Sequence, residues 1–323
     1  MPVISTNNTK FKNIIINGDM SIAQRATSST GVTSNGYYTC DRWNTIPINL
    51  GTWTLTKSTD VPTNQGFVSS FKLDCTTADA SPAADDLFIF RQKMEGQNLQ
   101  YIKKGTSSAE SLTLSFWVKS NKTGTYIAEL FDNDNTRQIS KAYTVNSSDT
   151  WEKKTVTFPG DTTGALDNDN DTSLIAQFWL GSGSTYSSGT LSTTWTANTN
   201  ANRAVGQVNL ADSTSNEWYV TGIQLEAGSQ ASDFEFLPFD VNLQRCQRYY
   251  IKIPNSLYGG VYGTTTSMSG GILPTTMRAA PSVSYSSVRT TTGLNFYPSA
   301  DKIQVMMTAT NGFVNGLEGD AEL

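Results

Sequence analysis

Residues 111–119, SLTLSFWVK, alternate at a period of two: Leu112, Leu114, Phe116 and Val118 share one side, and Thr113, Ser115, Trp117 and Lys119 share the other. In an extended chain successive side chains point to opposite faces, so one face becomes core and the other stays half polar. Similar runs occupy 53–56, 67–75, 87–92, 126–131, 151–158, 174–180 and 218–225. Turn sequences such as NKTG at 121–124 and DNDN at 132–135 separate them. The pattern predicts an all-β sandwich of roughly eight strands.

Composition narrows the chemistry. Only 16% of residues are charged, and Ser, Thr, Asn and Gly fill the spaces between apolar runs, as expected of strands joined by many polar turns. A net charge of -5 without any Lys/Arg cluster removes the electrostatic footprint of a nucleic-acid binder. Histidine is absent, which excludes imidazole as base, proton shuttle or metal ligand. With no nucleophile-elbow pattern and no locatable pair of carboxylates, no catalytic residue is assigned, and a non-enzyme is expected. Cys40, Cys75 and Cys246 are an odd number at unrelated spacings and are expected to be free thiols. No stretch approaches the roughly 20 apolar residues of a membrane helix, and the N-terminal sequence lacks a secretory apolar segment. A soluble protein made in a cytoplasm is expected.

Residues 1–237 are expected to form the sandwich, 238–256 a short helical connector, and 257–323 a smaller C-terminal β module. The connector follows from the Pro238 turn and the spacing of Val241, Leu243, Cys246, Tyr249 and Tyr250, which suits a short helix. The longest polar loop, 181–204, is the first place to look for function. No fixed-period repeat is present, which argues against a β-helix or propeller.

Four segments carry a family resemblance. NIIINGDMSIAQR at 13–25 with YTCDRW at 38–43, LSFWVKS at 114–120, WYVTGIQLEAG at 218–228 with CQRYY at 246–250, and PTTMRAAPSV at 274–283 together resemble bacteriophage and prophage tail-fibre or virion-associated proteins. The resemblance implies a jelly-roll sandwich with a small C-terminal module, usually in symmetric oligomers. The first two-thirds also resembles the calcium-bearing jelly-roll carbohydrate-binding modules, whose first strand reads Asn-Gly-Asp/Ser-Phe-Glu. Asn17, Gly18 and Asp19 match. Met20 and Ser21 replace the Phe-Glu pair, and Gly222 and Ile223 stand where that family tends to carry acidic residues. Calcium takes about six to eight oxygens, so neither a metal nor another cofactor is expected. The DNDND run at 167–171 has alternating oxygens but Thr172 at the required glycine and Phe178 at the bidentate position, and reads as a solvated turn.

Sugar rings pack their C–H faces on aromatic rings while their hydroxyls need directional polar partners. Trp43, Trp53, Trp117, Trp151 and Trp218 lie in or beside expected strands and are assigned to core or strand pairing. Trp195, in a polar loop, is harder to bury. With Tyr186 of the same loop and with Trp179 and Gln177, it forms the candidate glycan surface, unless it folds back to cap the sandwich or meets a neighbouring subunit. Leu243, Tyr249 and Tyr250 are the candidate oligomer contacts.

The resulting expectation is a virion structural protein, a tail-fibre-type subunit that assembles in the host cytoplasm. It would present a jelly-roll surface to host cell-surface glycan for adsorption. Its partners would be copies of itself, with a trimer expected from the resemblance, and other virion proteins, but neither nucleic acid nor membrane. Oligomerisation would convert single weak sugar contacts into effectively intramolecular ones. The rival is an architectural decoration or adaptor protein of capsid or tail that touches no glycan.

Overall fold

The computed structural model describes residues 12–253, 257–259, 267–289, 292–308 and 312–323. The chain divides into two compact units: Met1–Ser21 with Ala26–Phe236, and Ile22–Arg25 with Leu237–Leu323.

The first unit is a jelly-roll β-sandwich. In chain order its strands are β1 (Ser28–Val32), β2 (Gly36–Tyr37), β3 (Asn44–Ile48), β4 (Thr52–Ser58), β5 (Ser70–Thr77), β6 (Leu87–Glu95) and β7 (Leu112–Ser120). They continue with β8 (Gly124–Asp132), β9 (Arg137–Val145), β10 (Glu152–Phe158), β11 (Thr172–Ser182), β12 (Thr196–Ala197) and β13 (Glu217–Ala227). One antiparallel sheet has six strands in the order β1-β4-β5-β13-β7-β10, and the other has seven in the order β12-β9-β8-β11-β6-β3-β2. The inner faces supply one core: Leu112, Leu114, Phe116 and Val118 of β7 are buried there, as the alternation requires. Rings interlock between the sheets, with Phe116 edge-on to Phe178 at 4.9 Å and Phe71 tilted on Phe90 at 4.8 Å. Trp43 stacks flat on Phe90 at 4.6 Å. Trp53 and Trp218 belong to the same core, as assigned, but Trp117 and Trp151 are only half-buried, and Trp117 falls on the outer face of the six-stranded sheet.

The opening segment is sewn to the last strand by neutral amides. Asn13 Oδ1 accepts from the N–H groups of Ile15 (3.0 Å) and Leu225 (3.1 Å), and Asn13 Nδ2 donates to the Ile223 carbonyl (3.0 Å). Gly18 comes so close to that strand that a Cβ would lie 2.0 Å from the Ile223 oxygen, which is why the Asn-Gly-Asp run tolerates no side chain there.

The second unit contains the helix Phe239–Gln247 and three small antiparallel sheets. One joins Tyr250–Ile253, Leu317–Asp320 and Ser282–Ser284. Ile251, Leu273, Met277, Ile303, Val305, Val314, Leu317 and Ala321 form its core. The expected connector is therefore not a separate link: its helix and the strand Tyr250–Ile253 lie within this unit, while 254–256 fall outside the described residues. Tyr249 and Tyr250 are 1% and 3% exposed, so they form no surface for a neighbouring copy, and Leu243 is half-buried. The reason is the segment Ile22–Arg25: the Arg25 guanidinium lies 3.6 Å over the Tyr250 ring, reaches Asp320 at 2.9 Å, and Gln24 Nε2 donates to the Tyr250 carbonyl at 2.7 Å.

Candidate functional site

The outer face of the seven-stranded sheet carries a row of polar side chains set by strand register. Tyr37 faces Asn44, Asn44 faces Arg91, Arg91 faces Gln177, Gln177 faces Glu129 and Glu129 faces Ser140. The neighbouring row is apolar: Ile46, Ile89, Trp179 and Ile127. Because side chains alternate along each strand, the core residues Phe90, Phe178 and Ala128 sit between these rows on the opposite face.

The loop following β11 covers one half of this face. Ala204 packs with Ile89, Ile127 and Trp179, and Tyr186 and Leu191 close over them. Arg203 donates to Glu129 through Nε (2.9 Å) and Nη2 (3.3 Å), while its carbonyl accepts from Ser140 Oγ (2.9 Å). Glu129 has no solvent exposure and accepts further hydrogen bonds from Gln177 Nε2 (2.5 Å) and Trp179 Nε1 (2.6 Å). A charge so deep persists only with this many donors.

This arrangement corrects the glycan surface expected from sequence. Trp179 is 0% and Gln177 1% exposed, so both are structural partners of Glu129 and neither meets a ligand. Tyr186 is half-buried with its ring 5.4 Å from that of Trp179. Trp195 does not join them: half-buried, it packs against the main core, its indole N–H donates to the Pro159 carbonyl at 2.8 Å, and Lys104 Nζ lies 5.3 Å from its ring. These contacts are those of a ring packed on the core. The loop reads as exposed because it is polar, yet its backbone is satisfied by pairs such as Gly189 N–H to Ala201 O and Ala204 N–H to Tyr186 O.

On the other half of the face stands Arg91, half-buried on β6. Its Nε donates to Asn44 Oδ1 at 2.9 Å, and among the described residues no carboxylate lies within ion-pair distance of it. Burial holds this guanidinium below its ordinary value, the nearby Arg203 charge acts in the same direction, and Tyr37 opposes it. It remains a cation, because the ordinary value is so high. The guanidinium fork is suited to bidentate recognition of a carboxylate or phosphate, and among the described residues neither terminal nitrogen has a protein acceptor. Sequence alternation puts Arg91 on the outer side of its strand with Ile89 and Lys93, but which part of that face the loop leaves uncovered is a tertiary fact.

The segment resembling the calcium-bearing modules is tied into the fold by hydrogen bonds of its own. The Asp19 carboxylate accepts from the Ser21 N–H (3.4 Å) and hydroxyl (3.0 Å), and the Asn17 amide donates to the Asp41 carbonyl at 2.9 Å. Among the described residues no three His, Cys, Asp or Glu side chains come together as a metal cluster. The DNDND run leaves the side chains of Asp167, Asp169 and Asp171 exposed, while carbonyls of the same run accept from Gln100, Gln97 and Gly96.

No family model and no curated protein matches the chain. Among solved structures it is similar to the enzymatically active domain of tailspike protein 4 of bacteriophage CBA120, with 13% identity over 67% of this chain and a TM-score of 0.35. The match spans only 21% of that tailspike chain. A CBM4 structure shows 14% identity over 65% of this chain and 97% of its own, with a TM-score of 0.35. A putative sugar binding protein from Bacteroides thetaiotaomicron shows 11% identity over 67% of this chain and 100% of its own, with a TM-score of 0.37.

Proposed function

We propose that this chain is a tail-fibre-type virion protein whose sandwich binds an acidic host-surface glycan through the uncovered half of the seven-stranded sheet, with Arg91 as its anchor. The observation that carries the reading is the Arg91 fork, a half-buried cation beside Asn44 and Tyr37 that has no acidic partner among the described residues. A cation taken partly out of water is costly unless paired, so a carboxylate-bearing sugar would complete a charge-assisted pair that the protein itself does not supply. Tyr37 adds a ring and Asn44 a directional amide, the two partner types that a saccharide requires. The virion role is supported by the order of the four sequence segments.

Binding to an array of acidic and neutral oligosaccharides tests the site. The full chain should retain acidic members, with a signal that falls as salt rises. Arg91→Ala should lose that signal and keep its melting temperature within a few degrees. Wild type that ignores every acidic sugar, or Arg91→Ala that binds as wild type does, overturns the reading and leaves the architectural rival. Imaging of particles tests the virion role: density at the tail periphery supports adsorption, and density on capsid faces supports decoration.

A further inference from the structure

The opposite side of the sandwich holds a concavity of about 290 Å³ on the outer face of the six-stranded sheet. Trp117 of β7 forms part of it, between Thr221 of β13 and Lys153 of β10 in the strand register. A wall of three rings stands beside it: Phe67 is 5.1 Å from both Phe234 and Phe236, which are 4.8 Å from each other. The backbone is shaped for this wall. At the bulge in β13, Gly222 has φ +61°, and a Cβ there would come 2.5 Å from the Phe67 ring. The rim is polar: Gln65, Lys153 and Asp233 are exposed around the rings, and among the described residues neither Lys153 nor Asp233 has an ion-pair partner. Phe236 is 49% exposed, so an edge of the ring wall is open to solvent.

We propose that this concavity is a second ligand site, which takes one neutral pyranose ring against Trp117. The volume lies at the lower limit for small-molecule pockets and admits a single ring. An aromatic wall with separate donors and acceptors at the rim suits a ligand with one C–H face and an edge of hydroxyls. A fatty chain would leave Lys153 and Asp233 without a role. The two rim charges are opposite and single, so the site favours no ionic ligand, unlike the Arg91 face. This inference goes beyond the reading of Arg91 and stands if that reading fails.

Saturation-transfer NMR on the full chain, with methyl β-glucopyranoside and methyl β-galactopyranoside as probes, is the test. At least one probe should take saturation on its ring C–H protons at millimolar concentration. Trp117→Ala should weaken that probe by at least roughly tenfold, and Arg91→Ala should leave it unchanged. Should Trp117→Ala fail to fold, the double variant Gln65→Ala with Lys153→Ala, both at exposed positions, should weaken binding as well. No saturation of either probe by wild type, or undiminished binding in a folded Trp117→Ala or in the double variant, overturns the proposal. Loss of probe binding in Arg91→Ala does so too, since it would place the sugar on the other face.

Discussion

The indole N–H of Trp179 donates to Glu129 Oε2 at 2.6 Å, and the same carboxylate is held from above by Arg203 of the covering loop. The contact makes the loop part of the sheet's energetics. Arg203→Ala should cost about 3–5 kcal/mol, because removing one partner strands a buried charge. Urea unfolding should show the loss, and Glu129→Gln added to Arg203→Ala should restore part of it. A change below roughly 0.5 kcal/mol, the usual scale of a surface substitution, would mean that the loop does not shield Glu129.

Trp195→Ala is expected to lower stability and spare binding. Wholly buried Trp→Ala changes cost about 3–5 kcal/mol, and a half-buried ring should cost less, about 1–3 kcal/mol. The variant loses packing on the core, the bond to the Pro159 carbonyl, and the ring beside Lys104. Thermal melting and the acidic-sugar array, run on one preparation, separate the outcomes. A preserved melting temperature with lost sugar binding would return Trp195 to the ligand surface.

The period-two pattern carried the sandwich because an inner face must be apolar wherever the strand lies. It missed β9, RQISKAYTV, whose charged Arg137 and Lys141 interrupt the alternation. It also missed β3, whose Pro47 suggests a break. Pro47 is tolerated because β2 pairs only with Asn44 and Thr45, so no strand beyond asks for its missing N–H. Trp117 was legible in its face, since the alternation sets it on the polar side with Lys119, but the assignment to core or strand pairing gave that side no role. The burial of Trp179 was not legible, because the outer face is covered by a polar loop that satisfies its own backbone. Nor was that of Tyr250, whose covering partner Arg25 lies near the other end of the sequence.

Glu152 gives the fold an acid-sensitive turn. Burial raises its carboxyl, but the Lys154 ammonium and the N–H donors of Ser147 and Asn146 outweigh that and hold it down to about 2 from an ordinary 4.5. A depressed carboxyl stabilises the folded state fully above its unfolded value, and this contribution is lost as pH falls through 4.5 toward about 2. The protection of the Asn146 and Ser147 amides, taken relative to their intrinsic exchange rates, should therefore fall over that window, and Glu152→Gln should abolish the dependence. A Glu152 carboxyl resonance that titrates near 4.5 would show that the turn does not hold its carboxylate.

The three thiols should be inert in the folded protein. Cys40, Cys75 and Cys246 are buried, and among the described residues none forms a disulfide. Loss of solvation pushes Cys75 up to about 11, with the Asp74 and Asp212 charges adding to the rise, and pushes Cys40 further still. Reaction with iodoacetamide needs the thiolate, which for Cys75 at about pH 8 is on the order of one molecule in a thousand. Cys75 also lies on an inner face of β5, its sulfur 3.4 Å from the Thr77 carbonyl, so a reagent must wait for the sandwich to open. Mass spectrometry should find no labelled cysteine after native treatment and three after denaturation. Labelling of Cys75 alone under native conditions would mean that the end of β5 opens without global unfolding, and its rate would then measure that local opening.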